Sequence, residues 1–184
     1  MKKLYLIRHG ETLWSKSGQH TSYTDLELTP HGINQVLAMR AHLPLFDQVL
    51  ISPLKRAAKT AELLGLTGST VKELIEWNYW IYEGKTSKEI KSQCPEWNIF
   101  THGALFGETT EEVINRAKKI LNVVDSYEGT TCLISSGHFI RVLIATYLHQ
   151  PCSFGKNVLI STASITILSE EKGNKVIETL NQQF

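Results

Sequence analysis

Arg8 and His9 close a short apolar run and are followed at once by Gly10. A guanidinium offers a planar fork of donors that matches a tetrahedral oxyanion, and an imidazole beside it can act as a nucleophile when it is neutral and one ring nitrogen is held by a hydrogen bond. Gly10 lets backbone approach a ligand closely. On these residues alone a solvated strand end is the competing reading. Arg56 favours the anion site, because it adds a second guanidinium one turn into a helix expected over 53–64, near a helix amino terminus. A third cluster, Ser135-Ser136-Gly137-His138, follows another apolar run. The remaining histidines (His20, His31, His42, His102 and His149) show no ligand spacing with carboxylates or thiols, so no metal site is expected. Cys94, Cys132 and Cys152 are widely spaced and read as packed or inert.

The elements that must hold these clusters are legible as an alternation. Apolar runs over 3–7, 48–51, 132–135 and 164–168 read as buried strands, each rich in Ile, Leu or Val. Ser52 is placed to cap the helix over 53–64, with Pro53 in its first turn. Thr29-Pro30 opens another helix by the same device, with Val36, Met39, Ala41 and Leu43 as its apolar positions. Hydroxyl and acidic residues from Gly107 to Glu112 precede a helical period of Val113, Ile114, Ala117, Ile120, Leu121 and Val124. A last helix is expected over 139–148, and a hairpin turns at Lys172-Gly173-Asn174. This pattern predicts a three-layer α/β/α fold with a central, mostly parallel sheet. Ligands bind at the carboxyl ends of strands in such sheets, which is where all three clusters fall.

Composition narrows the partners. With 19 Lys+Arg against 18 Asp+Glu the formal net charge is +1, which disfavours a nucleic acid or an anionic membrane surface. Apolar runs such as 142–145 are far shorter than the ~20 residues of a membrane span. The amino-terminal apolar run of about four residues is too short for the roughly 7–15 of a secretory signal. An odd number of scattered cysteines suits a reduced, cytoplasmic chain. Length against a prior of roughly 150 residues per domain suggests one domain over 1–184.

Five blocks in order give the chain a family likeness: Leu6-Ile7-Arg8-His9-Gly10-Glu11-Thr12, Leu28-Thr29-Pro30-His31-Gly32, Ser52-Pro53-Leu54-Lys55-Arg56-Ala57, Glu83-Gly84 and Gly107-Glu108. Together they resemble the histidine phosphatase superfamily, the phosphoglycerate mutase-like fold. The resemblance implies that His9 takes up a phosphoryl group, that Arg8 and Arg56 neutralise its oxygens, and that Glu76, eight positions ahead of Gly84, donates a proton to the leaving alkoxide. Glu76 must then hold a proton, so surroundings that favour the protonated acid are expected. Stretches around Trp14, Trp77 and Trp97 are similar to the acid-phosphatase and sugar-bisphosphatase branch, in which Ser15, Thr21 and Ser22 match pocket-lining positions.

One departure stands out. The family's second catalytic histidine precedes the Gly of a His-Gly-x-x-x-Arg stretch, and here the frame reads Ser136-Gly137-His138-Phe139-Ile140-Arg141. Ser136 occupies the histidine's place, while His138 matches a position that contacts substrate in relatives; two positions so close at a strand end are not interchangeable by default. Loss of one preorganised donor typically costs about 10²–10³ in rate. The expectation is a metal-independent phosphomonoesterase, weakened by Ser136, that acts on a small phosphorylated metabolite and needs no cofactor. A phosphate-ester-binding pseudoenzyme and a phosphoglycerate mutase are the alternatives, and oligomeric state is left open. Aromatic residues from Trp77 to Phe106 form either a pocket wall or a satellite core, and Trp80, where relatives usually have Gly, is expected to narrow the pocket.

Overall fold

The structure, a computed structural model, describes residues 2–184. Six strands form one sheet: β1 (Lys3–Arg8), β2 (Gln48–Ile51), β3 (Ser69–Thr70), β4 (Thr130–Ser135), β5 (Ile165–Glu171) and β6 (Asn174–Gln182), in the order β3-β2-β4-β1-β5-β6. The first four are parallel, as expected from the helical connections between them; the carboxyl-terminal hairpin β5–β6 adds an antiparallel edge. Chain order thus places β1 and β4 in the middle, side by side. Their register pairs Arg8 with Ser135, and β2 pairs Ile51 with Ile134. Main-chain bonds from His9 N to Ser135 O and from Ser52 N to Ile134 O, 3.1 and 3.0 Å, carry the ladders one step further. The carboxyl ends of three strands therefore stop level with one another, and the three clusters meet.

Alternation along β1 sends Leu4 and Leu6 to one face and Ile7 to the other. On the first face lie α6 (Thr110–Asp125) and α7 (Gly137–Tyr147), with Val113, Ala117, Ile120, Phe139, Ile140 and Leu143 buried. On the second lie α2 (Pro30–Met39) and α3 (Lys55–Leu64), with Val36, Met39, Ala57 and Ala61 buried. Both faces are covered, which is what short, uniformly apolar strands require. Three short helices, α1 (Leu13–Ser17), α4 (Ser87–Gln93) and α5 (Ile99–His102), sit in the loops above the strand ends.

The caps are largely those written in the sequence. Thr29 accepts from Gly32 N with Pro30 in the first turn, and Thr109 forms a capping box with Glu112. Two boundaries differ. α3 starts at Lys55 with Leu54 as its N-cap, not at Pro53 with Ser52, because Ser52 is still engaged as an extension of β2; its hydroxyl has no partner. α7 starts at Gly137, two residues before the expected position, with Ser136 at the N-cap. Ala41 and Leu43 lie beyond the end of α2, in and after a 3₁₀ turn over Arg40–His42.

The exit from β1 is fixed by a contact that only glycines allow. A Cβ on Gly32 would sit 2.3 Å from Glu11 O, and one on Gly10 would sit 2.6 Å from Gly32 O. Alanine in a helix normally gains about 0.5–1 kcal/mol over glycine. Here the obstruction is backbone, which cannot swing aside, so overpacking of about 1–3 kcal/mol outweighs that gain. Gly32→Ala is therefore expected to lower stability by about 1–2 kcal/mol in urea denaturation and, by shifting the Gly10 loop, to reduce any activity of His9 as well.

Candidate active site

A cavity of about 210 Å³ opens over the ends of β1 and β4, and Arg8, His9, Ser15, Thr21, Glu76, Gly137 and His138 all line it. Arg56, Ser22 and Ser136 are buried behind its wall, at 0, 0 and 2 % exposure. Every residue singled out from the sequence is thus near one site, in two layers.

His9 is 4 % exposed, and its Nδ1 lies 2.8 Å from Gly10 O. A carbonyl only accepts, so Nδ1 carries the proton and Nε2 keeps its lone pair. Burial, reinforced by the charges of Arg56 and Arg8, holds His9 well below the usual histidine range. The ring is therefore neutral and oriented at neutral pH, with the Nε2 lone pair available.

The guanidiniums are built in with donors to spare. Arg8 donates from Nη1 to Ile160 O at 2.6 Å, and Arg56 from Nη1 to Thr24 O and from Nη2 to Thr21 O and Ser22 O. Burial lowers both; Arg8 comes down to about 10 and so stays charged at neutral pH. Gly137 makes room for Arg8, since a Cβ there would lie 3.0 Å from its Cζ. The Nε atoms of Arg8, Arg56 and Arg141 and the hydroxyls of Ser22 and Ser136 are buried without partners. Orphaned donors are rare in protein interiors, and five of them in and behind one cavity wall suit an anionic ligand. Ser15 and Thr21 contribute less, because each hydroxyl already bonds locally, Ser15 to Thr12 and Thr21 to Gln19 O.

Glu76 is 6 % exposed. Its Oε1 accepts from Trp77 N and Phe139 N, and its Oε2 from His138 N, so it is held as a hydrogen-bond acceptor and not in the surroundings expected to favour a protonated acid. It therefore supplies the cap that Ser136, with no side-chain bond, does not give to α7. The loop carrying Glu76 is clamped from below. Arg116 forms a bidentate pair with Glu108, both bonds 2.7 Å, and donates to the carbonyls of Glu73 and Ile75; Glu108 in turn accepts from Asn78 N and Trp77 Nε1. A larger depression of about 570 Å³ lies across Glu76, but there Arg116, Lys72 and Lys119 face Glu73, Glu108 and Glu112. With Glu76 that lining has four carboxylates against three cations and lacks His9, so the smaller cavity is the chemical one. Among the described residues no group of three or more His, Cys, Asp or Glu could hold a metal ion.

The family model for the histidine phosphatase superfamily (branch 1) matches residues 4–183. The chain belongs to that superfamily. It is 37% identical over 185 residues to an acid phosphatase of Mycobacterium tuberculosis, covering 97% of this chain and 91% of that one. It is 36% identical over 135 residues to sedoheptulose 1,7-bisphosphatase of Saccharomyces cerevisiae, a match spanning 59% of this chain and 50% of the yeast protein. A solved Mycobacterium tuberculosis structure superposes with a TM-score of 0.95 at 35% identity, over 99% of this chain and 98% of that one. A phosphoserine phosphatase from Entamoeba histolytica, solved with 3-phosphoglyceric acid, gives 0.86 at 26% identity, over 99% and 98% of the two chains. The three-layer phosphoglycerate mutase-like fold follows. No helix among the described residues is long and apolar enough to cross a membrane.

Four more side chains complete the cavity wall: Tyr79, His138, His20 and Arg141. Tyr79 is 1 % exposed and its O–H bonds His138 Nδ1. Burial, with the charge of Glu76 adding to it, pushes the Tyr79 phenol well up, and burial, with His20, Arg141 and Arg8 adding, pushes His138 well down. The phenol therefore donates, and His138 carries its own proton on Nε2. His20, buried against the rings of Tyr79, Trp97 and His138, reaches Ser87 Oγ and is brought down to about 4 by burial. Arg141 lines the cavity with no hydrogen-bond partner among the described residues. The aromatic segment is mainly core: Trp77, Trp97 and Phe100 are buried, and Tyr79 is the cavity wall. Trp80 does not narrow the cavity. It is 61% exposed with φ of 47°, which explains a glycine preference at that position better than pocket width does.

Three histidines that resist protonation, His9 and His20 buried and His138 half-buried, make stability depend on pH with a definite sign. Between an ordinary histidine value of about 6.5 and the depressed folded values, the unfolded chain binds protons that the folded chain refuses, so stability falls as pH falls. His20 alone, brought from 6.5 to about 4, accounts for about 3 kcal/mol across that window. The urea midpoint is expected to drop steadily from pH 7 to pH 4.5, and His20→Asn to flatten that slope by up to one proton.

Proposed function

We propose that this protein hydrolyses phosphomonoesters of small metabolites through a phosphohistidine at His9. The observation that carries the reading is the neutral, Nδ1-tethered His9 set among Arg8, Arg56 and orphaned buried donors. Nε2 attacks phosphorus; the P–O bond to the alcohol breaks, and Glu76, an acceptor carboxylate in the free site, gives the leaving oxygen the proton that it takes up when the dianionic ester binds beside it. Arg8 and Arg56 take the charge that spreads over the three equatorial oxygens. Water then attacks phosphorus, Glu76 accepts a proton from it, and inorganic phosphate leaves with His9 neutral again. Neither step needs a metal or a cofactor. Having nucleophile, cations and acid together favours turnover over binding alone, and the acid phosphatase relative favours water over a second alcohol as acceptor. A small phosphorylated metabolite fits both the cavity volume and the compounds named for the relatives.

Position 136 holds serine, and its side chain is spent neither on the helix nor on another partner. His138 takes over the missing donor's part. Tyr79 locks its tautomer, so Nε2–H is a fixed neutral donor on a ring that lines the cavity.

The test is hydrolysis of p-nitrophenyl phosphate with chelator present. The wild type is expected to turn over, His9→Ala to lose all measurable turnover, and rapid acid quench to trap an acid-labile phosphoryl group on the wild type alone; turnover surviving His9→Ala sinks the reading. Since His9 stays neutral below 6.5, kcat/KM corrected for substrate ionisation is expected to hold its value below pH 6.5. His138→Ala should lower kcat by about 10²–10³ and Ser136→Ala by less than about threefold. Equal losses in the two variants would return the role to Ser136.

A further inference from the structure

A second cavity of about 160 Å³ adjoins the first, and His20, Ser87, His138 and Arg141 line both. Its own far wall brings Lys91 from α4, Asn98 from the start of α5 and Lys156 from the 3₁₀ turn over Cys152–Asn157. No acidic side chain lines it. Among the described residues Lys91, Lys156 and Arg141 form no ion pair and no side-chain hydrogen bond. On a chain of net charge +1, three unpaired cations around one acid-free cavity are a strong local excess. Arg141 Nε is also buried with nothing to bond. Asn98 Oδ1 accepts from Phe100 N, which leaves its amide N–H₂ as a further donor at the same wall. The wall shared by the two cavities means that a ligand with one end on His9 can extend along Arg141 towards both lysines. The larger depression beyond Glu76 offers no such excess, since its cations face carboxylates.

We infer that this second cavity is a subsite for a second anionic group on the substrate, a phosphate or a carboxylate at the end remote from the scissile phosphoryl. The inference rests on the phosphatase reading and adds its substrate class: doubly anionic metabolites in preference to simple phosphomonoesters. Arg141 bridges the two anions, and Lys91 and Lys156 receive the remote one.

Two matched pairs test it, fructose 1,6-bisphosphate against fructose 6-phosphate and 3-phosphoglycerate against glycerol 3-phosphate. The wild type is expected to favour the doubly anionic member of at least one pair by about tenfold in kcat/KM, through KM, and the pair that responds identifies the group as phosphate or carboxylate. In the Lys91→Ala/Lys156→Ala double variant that ratio should fall to near one, and added salt should erode it in the wild type. Both lysines are exposed, so the fold should tolerate their loss, which circular dichroism checks. Absence of preference in both pairs, or a preference that survives the double variant, overturns the subsite. Calorimetric titration of the same compounds into His9→Ala reads the preference without turnover. A preference seen there with no hydrolysis by the wild type keeps the subsite and discards the phosphatase; hydrolysis of p-nitrophenyl phosphate with no preference does the reverse.

Discussion

One carboxylate stands among three buried or half-buried guanidiniums, and the arrangement of the site depends on that imbalance. Glu76 is the acid whose charge favours the ionised forms of Arg8, Arg56 and Arg141 together. Charges taken out of water are costly unless paired or well hydrogen-bonded. The fold meets part of that cost with main-chain carbonyls, from Ile160 to Arg8 and from residues 21, 22 and 24 to Arg56. It leaves the rest unmet, as unpaired Nε atoms on all three. A dianionic phosphoryl group is the species that completes both the charge and the hydrogen bonds. The rigid surroundings mean that little reorganisation is needed when it arrives, which is the condition under which electrostatic stabilisation is largest.

Glu76 can hold this position because it is also structural. Its bonds to the main chain of Trp77, His138 and Phe139 tie the loop after β3 to the first turn of α7, while the Glu108–Arg116 pair fixes that loop from the opposite side. This division of labour explains the serine at 136. An N-cap residue is usually asked for a side-chain acceptor, but the cap is already supplied by a carboxylate 60 residues earlier in the chain. Position 136 is thus free of any duty to the helix. His138, next but one, gains its tautomer from Tyr79 and not from the helix, which is the arrangement that the proposed replacement of the donor requires.

The clusters Arg8-His9-Gly10, Arg56 and Ser136-Gly137-His138 were legible because short apolar runs mark parallel strands and ligands gather at their carboxyl ends. Register then did the rest, by ending β1, β2 and β4 level. What could not be read was anything that depends on one loop facing another. His20, Tyr79 and Arg141 come from segments about 60 residues apart and carry no shared spacing. The Glu108–Arg116 clamp could have been suspected from an acid just ahead of α6 and an arginine about two turns into it, but its targets at 73–78 have no local signature. Ser52 misled for a related reason. Ser-Pro reads as a helix start by local rules, and a strand ladder with one more bond to make took the residue instead.

Acid chemistry and acid stability pull against each other in this site. Burial beside Arg8 and Arg56 keeps His9 unprotonated where an ordinary histidine would lose its lone pair, and the same burial acts on His20 and His138. Each proton refused by the fold is one that the unfolded chain accepts, so the range in which the nucleophile survives is the range in which the fold loses its margin. A bound anion acts on both sides of this conflict. It stabilises the folded state by mass action, by about 2.7 kcal/mol at a hundredfold excess over its Kd, and it does so most where the cationic site is otherwise incomplete. Its negative charge also offsets the guanidiniums that oppose protonation of His9, so the folded chain refuses that proton less strongly. Phosphate produced by the reaction therefore protects the enzyme that made it, and it does so by occupying the same donors that the next substrate needs. Product inhibition and acid tolerance are in this view one property, set by how many orphaned donors the cavity presents.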